Sequence, residues 1–284
     1  MESQKIFIFG STGYFGRHFS DFFKSKGWKV LSERVEITNL SAVREVLKKY
    51  SPDIVLNCAG KTGTPNVDWC ETHKAETMSV NVTGALNIAI TCDELKLYFA
   101  HLGSGCVYQG DNKSKGFAET DEPNFYGSFY SRTKLYSEKL LAEFNPLQLR
   151  VRIPIEGVSH PKNVIDKLLK YERVVCIENS FTIVEDFIPA AFELMERGER
   201  GIFNMTNVGF MDHKFLMEKY REIVAPSRKF EYMDLEGLKK VTLAARSNCV
   251  LNTDKREALG IHMPEIQGRI PEILNNYKKQ KLSV

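Results

Sequence analysis

KIFIFGSTGYFG, residues 5–16, decides the fold. A short apolar run, KIFIF, leads straight into glycines at positions 10, 13 and 16. Glycines at such a junction permit a tight turn and let backbone amides approach a pyrophosphate. They also let the following helix pack closely on the sheet. The amino terminus of that helix then favours negative charge. A G-x-x-G-x-x-G pattern alone is a weak signal, since glycine turns are common. Placed between a first strand and a first helix, it points to nucleotide binding. Gly10, Ser11, Thr12, Gly13, Tyr14, Phe15 and Gly16 are the first cofactor candidates.

Working outward, short apolar runs alternate with amphipathic stretches. Strands are expected at 5–9, 28–31, 53–57, 97–102 and 147–153. Helices are expected at 14–26, 40–50, 77–95 and 126–144, the second capped by Asn39 or Thr38. This alternation implies parallel strands joined by right-handed crossovers. The fold class is α/β: a Rossmann-like doubly wound parallel sheet over residues 1–155, with a smaller substrate lobe over 156–284. The second lobe is expected to hold helices at 161–171, 185–197, 212–224 and 264–278. It is also expected to contribute elements back to the first lobe.

The bulk numbers exclude several function classes. The chain has 284 residues, enough for a large core, and its net charge of +3 is too small to imply nucleic acid or a membrane surface. No apolar run approaches the roughly 18 residues of a membrane span. The start, MESQKIFIFG, has no charged-then-apolar leader, so a cytoplasmic location is expected. Six scattered cysteines with no C-x-x-C pair argue against a metal site and a disulfide framework.

Three further motifs join the glycine loop: Asn57-Cys58-Ala59-Gly60 after the third strand, Ser104 at the end of the fourth, and Tyr130-Ser-Arg-Thr-Lys134 on the helix that follows. Together they resemble the extended short-chain dehydrogenase/reductase family, with its adenine-side turn and its Y-x-x-x-K. Residues four apart share a helix face. A lysine ammonium beside a tyrosine stabilises the phenolate and lowers the phenol's pKa from about 10. Tyr130 then donates a proton to a carbonyl oxygen as hydride arrives from a nicotinamide. Ser104 bonds the same oxygen, and Lys134 also holds the nicotinamide ribose. The resemblance adds Asn81 and Ile153 to the cofactor set.

Cofactor choice turns on the residues after the second strand. Glu33 suits ribose hydroxyls and NADH. Ser32 and Arg34 suit a 2′-phosphate, and we expect NADPH, with NADH as the alternative.

Longer stretches narrow the resemblance. TGTPNVDWCETHKAET (62–77), GSGCVY (103–108), PNFYGSFYSRTK (123–134) and ARSNCVLNTDK (245–255) resemble the dTDP-4-dehydrorhamnose reductase family. Within it they are most like the plant-type nucleotide-rhamnose synthases, bifunctional 3,5-epimerase/4-reductases. That implies a nucleotide-linked 4-keto-6-deoxyhexose as substrate, with UDP favoured over dTDP. The C4 ketone acidifies the hydrogens at C3 and C5, so epimerisation needs two acid/base groups besides Tyr130. The resemblance assigns these to Cys106 and Lys167. Taken alone, Cys106 reads more readily as a buried strand residue and Lys167 as a solvated helix charge. Residues two apart on a strand point the same way, so Ser104 and Cys106 are expected to face one cleft. Cys70 is a weaker alternative. Thr62, Asn66, Asp68, Trp69, Asn163 and Arg246 are candidates for substrate contact. Arg246 suits a diphosphate or, equally, a structural ion pair; Trp69 suits a stacked base or core filling. A homodimer is common in the superfamily. The competing functions are a reductase that depends on a separate epimerase, and a nonenzymatic NADP-binding subunit.

Overall fold

Four buried residues in a row, Ile6 to Phe9, make up most of β1 (Lys5–Phe9). A strand covered on both faces reads as a continuous apolar run rather than an alternating one. Around it lie β2 (Lys29–Leu31), β3 (Ile54–Asn57), β4 (Tyr98–Ser104), β5 (Leu147–Val151) and β9 (Gly201–Asn204). They pair in parallel in the order β2-β1-β3-β4-β5-β9. This is the doubly wound Rossmann-like sheet, and the strand order reverses beside β1, where such folds open a crevice. The computed structural model describes residues 3–282.

Helix α1 (Tyr14–Ser25) leaves the glycine turn and packs on α8 (Val184–Glu196) through aromatic edges. Phe15 and Phe19 each meet Phe187 with ring centroids 5.5 Å apart. Helix α2 (Leu40–Tyr50) starts at Asn39, whose side chain accepts from Ala42 N at 3.2 Å, so Asn39 and not Thr38 is the cap.

The single helix expected at 77–95 is three pieces. After α3 (Asp68–Thr72) come α4 (Lys74–Met78), a π-helical turn (Ser79–Gly84) and α5 (Ala85–Glu94). Gly84 lies so close to Ile37 that a Cβ there would sit 2.6 Å from that side chain. π-Helical turns often mark functional sites. This one aims Asn81 at the segment after β3.

Helix α6 (Phe129–Ala142) carries Tyr130 and Lys134 and starts later than expected. Ser128 Oγ accepts from Ser131 N at 3.1 Å, and the Glu71 carboxylate accepts from Phe129 N at 2.6 Å. Further along, Arg150 of β5 donates twice to the Glu138 carboxylate of α6, both bonds 2.7 Å and both residues buried. A buried bidentate pair of this kind resists sliding, so α6 is fixed against β5 of the sheet.

Beyond β5, β6 (Pro154–Ile155) pairs with β8 (Thr182–Ile183), and β7 (Arg173–Val175) with β10 (Glu231–Met233). A second apolar core gathers Ile155, Ile165, Phe181, Leu216, Ile273 and Tyr277. It is built with α7 (Val164–Leu168), α9 (His213–Ile223) and α12 (Ile266–Leu282). The helix expected at 161–171 shrinks to α7 because Asn163 caps it, accepting from Ile165 N at 3.2 Å. Helices α10 (Leu235–Lys239) and α11 (Asp254–Glu257) complete the set among the described residues. None of the described helices is long and apolar enough to cross a membrane.

Candidate active site

The glycine turn is tight at two positions. Gly10 has φ +74°, and a Cβ there would come within 2.7 Å of Ala59 N. A Cβ on Gly16 would sit 2.1 Å from Gly10 O. Gly13 N donates to Gly10 O at 2.9 Å, closing the turn under the start of α1. This is a backbone cradle at the amino terminus of a twelve-residue helix, suited to a pyrophosphate. Ser11, Tyr14 and Phe15 are half-buried in it, and Thr12 is exposed.

The segment after β6 lies across this turn. The rings of Tyr14 and His160 are 4.7 Å apart, and Lys162 Nζ donates to Thr62 Oγ1 at 3.1 Å. After β2, Ser32 and Arg34 are exposed, while the Glu33 carboxylate is taken by Lys49 Nζ at 2.7 Å and Tyr50 OH at 2.9 Å. Those bonds hold Glu33 below the usual carboxylate range.

Behind the cradle, Asn57 is fully buried and Gly60 is exposed. Asn57 Oδ1 accepts from Ala59 N at 2.9 Å, which shapes the Asn57-Cys58-Ala59-Gly60 turn. Burial pushes the Cys58 thiol up. Asn81 is buried. Its amide bonds Lys61 N at 2.7 Å, Lys61 O at 3.0 Å and Thr133 Oγ1 at 3.1 Å, so it ties that turn to α6. Ile153 follows β5 at φ +36°, a left-handed conformation that is costly for a β-branched residue.

At the mouth of the sheet, Ser104 ends β4 and faces Tyr130. Burial and then Cys106 push the Tyr130 phenol up, while its hydrogen bond with Ser104 pulls it back. The sequence expectation that Lys134 depresses this phenol is corrected. Lys134 Nζ turns onto β4, donating to Leu102 O at 2.9 Å and lying 3.3 Å from His101 Nε2. Burial lowers Lys134 itself to about 8.

Cys106 reaches the site by a different route than strand alternation. Strand β4 stops at Ser104 because Ser104 Oγ accepts from Cys106 N at 3.2 Å and bends the chain. The turn leaves the thiol facing the same phenol. Lys167, on α7, is lowered by burial and by Lys162, and Cys106 opposes that shift. Cys106 thus acts on both Tyr130 and Lys167. Cys70 also acts on the Tyr130 phenol.

Among the substrate candidates, Asn66, Asp68 and Arg246 form one cluster. Arg246 donates to Asp68 Oδ1 at 2.8 Å and Oδ2 at 3.0 Å, and reaches Asn66 Oδ1 at 3.4 Å. Of the two readings left open for Arg246, the geometry gives the ion pair. Burial works against the Asp68 carboxylate, yet Arg246 and Ala244 N hold it below its usual range. Trp69 is half-buried and stacks on His73 at 3.9 Å. Thr62 is exposed. Asn163 is corrected: it is fully buried, and its amide donates to Glu156 O and Val158 O, both at 2.8 Å, leaving nothing for a substrate.

Two residues escaped the sequence reading. Arg152 is buried and donates to Cys106 Sγ at 3.2 Å, with Ser247 and Asn179 as its other partners. His101 is buried against Lys134. The available signal was an ionisable residue inside each of two otherwise apolar strand runs.

Residues 4–278 match the family described as the RmlD substrate binding domain. A bifunctional dTDP-4-dehydrorhamnose 3,5-epimerase/dTDP-4-dehydrorhamnose reductase of Arabidopsis thaliana is 37% identical over 271 residues, covering 93% of this chain and 89% of that protein. A trifunctional UDP-glucose 4,6-dehydratase/UDP-4-keto-6-deoxy-D-glucose 3,5-epimerase/UDP-4-keto-L-rhamnose-reductase of the same plant is 38% identical over 260 residues. That match covers 89% of this chain, which spans only 39% of the longer plant protein. The crystal structure of the L780 UDP-rhamnose synthase from Acanthamoeba polyphaga mimivirus superposes with a TM-score of 0.92 at 32% identity, covering 97% of this chain and all of the viral one.

Proposed function

The chain belongs to the RmlD substrate binding domain family, and on that footing we propose that it converts a nucleotide-linked 4-keto-6-deoxyglucose to the nucleotide-L-rhamnose. The conversion combines 3,5-epimerisation with NADPH-dependent reduction at C4, and UDP is the favoured nucleotide. The observation that carries this reading is Cys106, whose N donates to Ser104 Oγ at 3.2 Å and whose Sγ accepts from Arg152 at 3.2 Å, and which acts electrostatically on both the Tyr130 phenol and the Lys167 amine. This supports reading the groups suited to reduction and those suited to epimerisation as neighbours.

The cradle of Gly10, Gly13 and Gly16 suits the cofactor pyrophosphate, since side chains at Gly10 and Gly16 would collide with the backbone that shapes the turn. When bound, the cofactor supplies hydride to C4. Ser104 and Tyr130 hold the C4 oxygen, and Tyr130 gives it a proton. Its raised pKa keeps the phenol protonated through neutral pH. Lys134 stands one helical turn away to restore that proton.

Epimerisation comes first. Lys167, with its lowered pKa, takes a proton from the carbon beside the ketone. The Cys106 thiol returns one to the opposite face. The resulting thiolate and ammonium exchange a proton, so the site resets with no net change. Arg152, donating to Sγ, steadies the sulfur while it is charged. In this reading the Asp68–Arg246 pair and Trp69 stand toward the substrate's outer part.

The test offers the UDP- and dTDP-linked 4-keto-6-deoxyglucose in parallel, with NADPH or NADH and no added epimerase. Nucleotide-L-rhamnose is expected, fastest with UDP and NADPH. If product forms only when a separate epimerase is added, the reaction reduces to the 4-reductase alone.

Arg34 supports NADPH because it is exposed beyond β2 while Glu33 is held by Lys49 and Tyr50. Arg34→Ala is expected to raise KM for NADPH roughly five- to tenfold, as for one exposed charge-assisted phosphate contact. KM for NADH should hardly move. Steady-state titration of the two cofactors checks this.

A further inference from the structure

A buried hydrogen-bond chain runs behind the reduction groups. Ala59 N donates to Asn57 Oδ1 at 2.9 Å. A backbone amide can only donate, so the orientation of the Asn57 amide is fixed. Its Nδ2 therefore faces His101 Nδ1, 3.1 Å away. Nδ1 must accept that hydrogen bond, and a neutral imidazole then carries its own hydrogen on Nε2. His101 is 2% exposed. Burial and the neighbouring Lys134 hold its pKa well below 6.5, so the ring is neutral.

The His101 Nε2 hydrogen points at Lys134 Nζ, 3.3 Å away. An ammonium has three donors and no acceptor, so it would meet that hydrogen head to head. A neutral amine has one lone pair to accept it and still donates to Leu102 O at 2.9 Å. The contact therefore discriminates between the two protonation states of Lys134.

We propose that His101 is a positioning residue for the reduction: its Nε2–H seats Lys134 on β4 and favours the amine left after Lys134 has given up a proton. This rests on reading Tyr130 as the acid at C4. The protons balance. Tyr130 loses its hydroxyl proton to the C4 oxygen, a proton from the Lys134 ammonium restores the phenol, and solvent later recharges the amine. His101 stabilises that intermediate amine and keeps its own proton throughout.

The other groups acting on Lys134 do not discriminate in this way. They are Glu138 on its own helix, Cys106 beyond β4 and Cys58 beyond β3. Glu138 is held by Arg150 at 2.7 Å twice over, and burial keeps Cys58 a neutral thiol. Lys134 is the one charged group acting on His101. The lowering of Lys134 to about 8 agrees with the geometry, although burial is its first cause.

The first arm of the test is imidazole nitrogen NMR on the intact chain, with His101 assigned by comparison with His101→Gln. A neutral Nε2–H tautomer across neutral pH is expected. An Nδ1–H tautomer, or an imidazolium, overturns the proposal. The second arm is the pH profile of kcat. In His101→Leu, the alkaline limb should move up by about one pH unit and kcat should fall roughly tenfold. His101→Gln, which offers an amide N–H near the position of Nε2, should restore most of both. A folded His101→Leu with an unmoved limb overturns the proposal, and so does a Gln variant that fails to restore it. If the unaltered chain reduces no 4-keto sugar, the functional reading falls while the NMR arm still decides the His101–Lys134 contact.

Discussion

Tyr130→Phe is expected to lower kcat for 4-keto reduction by about 10³-fold while the chain stays folded. The phenol is the group that shares a hydrogen bond with Ser104 and is read as the acid at C4, while the neighbouring Cys106 thiol is read as the acid at carbon. Ser104 alone has a hydroxyl far too weakly acidic to replace it. Burial holds the Tyr130 phenol up, so the lost group is a protonated donor at every pH where the protein is handled. KM for the sugar should rise only a few-fold, because the ring and the Ser104 hydroxyl remain. Stability should change little. Ser104 Oγ keeps its bond from Cys106 N, and Ser128 still caps α6. The measurement is cofactor consumption on the 4-keto sugar alongside thermal melting of the variant. Full turnover by a folded Tyr130→Phe would remove Tyr130 from the chemistry and take the reductase assignment with it. The pH profile sharpens the same experiment. Lys134, lowered to about 8, loses its proton as pH rises through that value. A cycle that needs its ammonium therefore loses rate above about pH 8, well below the pH at which an unperturbed lysine would act.

What could be read from the sequence was whatever depends on neighbours along the chain. The glycine turn, the apolar strands and the four-residue spacing of Tyr130 and Lys134 are local patterns, and the parallel sheet follows from their alternation. What could not be read was the choice of partner. Arg246 and Asp68 are 178 residues apart in sequence, and nothing in either segment says that they will meet. Asn163 and Asn81 look like exposed amides until the backbone groups that consume them are in place. Lys134 keeps its predicted helix face, yet its Nζ donates to Leu102 O and lies against His101 on β4, partners that the Tyr130–Lys134 spacing does not announce. The break in the helix over residues 77–95 lies where tertiary contacts concentrate, with Ile37 against Gly84 and Asn81 bonded to Lys61 and Thr133. Cys106 shows both sides at once. Its proximity to the site was readable, but not the reason, which is a turn closed by the serine hydroxyl rather than strand alternation.

Cys106→Ala should separate the two halves of the proposed reaction. Without an added epimerase, its yield of nucleotide-L-rhamnose from the 4-keto-6-deoxyglucose substrate should fall by at least about 10²-fold, the usual contribution of an acid/base group. Reduction of substrate that a separate epimerase has already inverted should change less than about threefold, because the thiol is not part of proton delivery to C4. Cys106 acts on the Tyr130 phenol only through negative charge on its sulfur, and that action opposes the proton's release, so its removal does not block that release. Deuterium exchange gives a readout independent of hydride transfer. In heavy water without cofactor, the unaltered chain should label C3 and C5 of the sugar. Cys106→Ala should lose labelled sugar of inverted configuration, and Lys167→Gln should lose the labelling altogether, since inversion needs one group to remove a proton and another to return it from the opposite face. A purely structural role for Cys106 predicts the reverse pattern. Emptying its place beneath Arg152 would leave a buried guanidinium donor unpaired, so stability, epimerisation and reduction would decline together. Selective loss of labelled, inverted sugar in a stable, reducing variant is what assigns the thiol to the carbon acid next to the ketone.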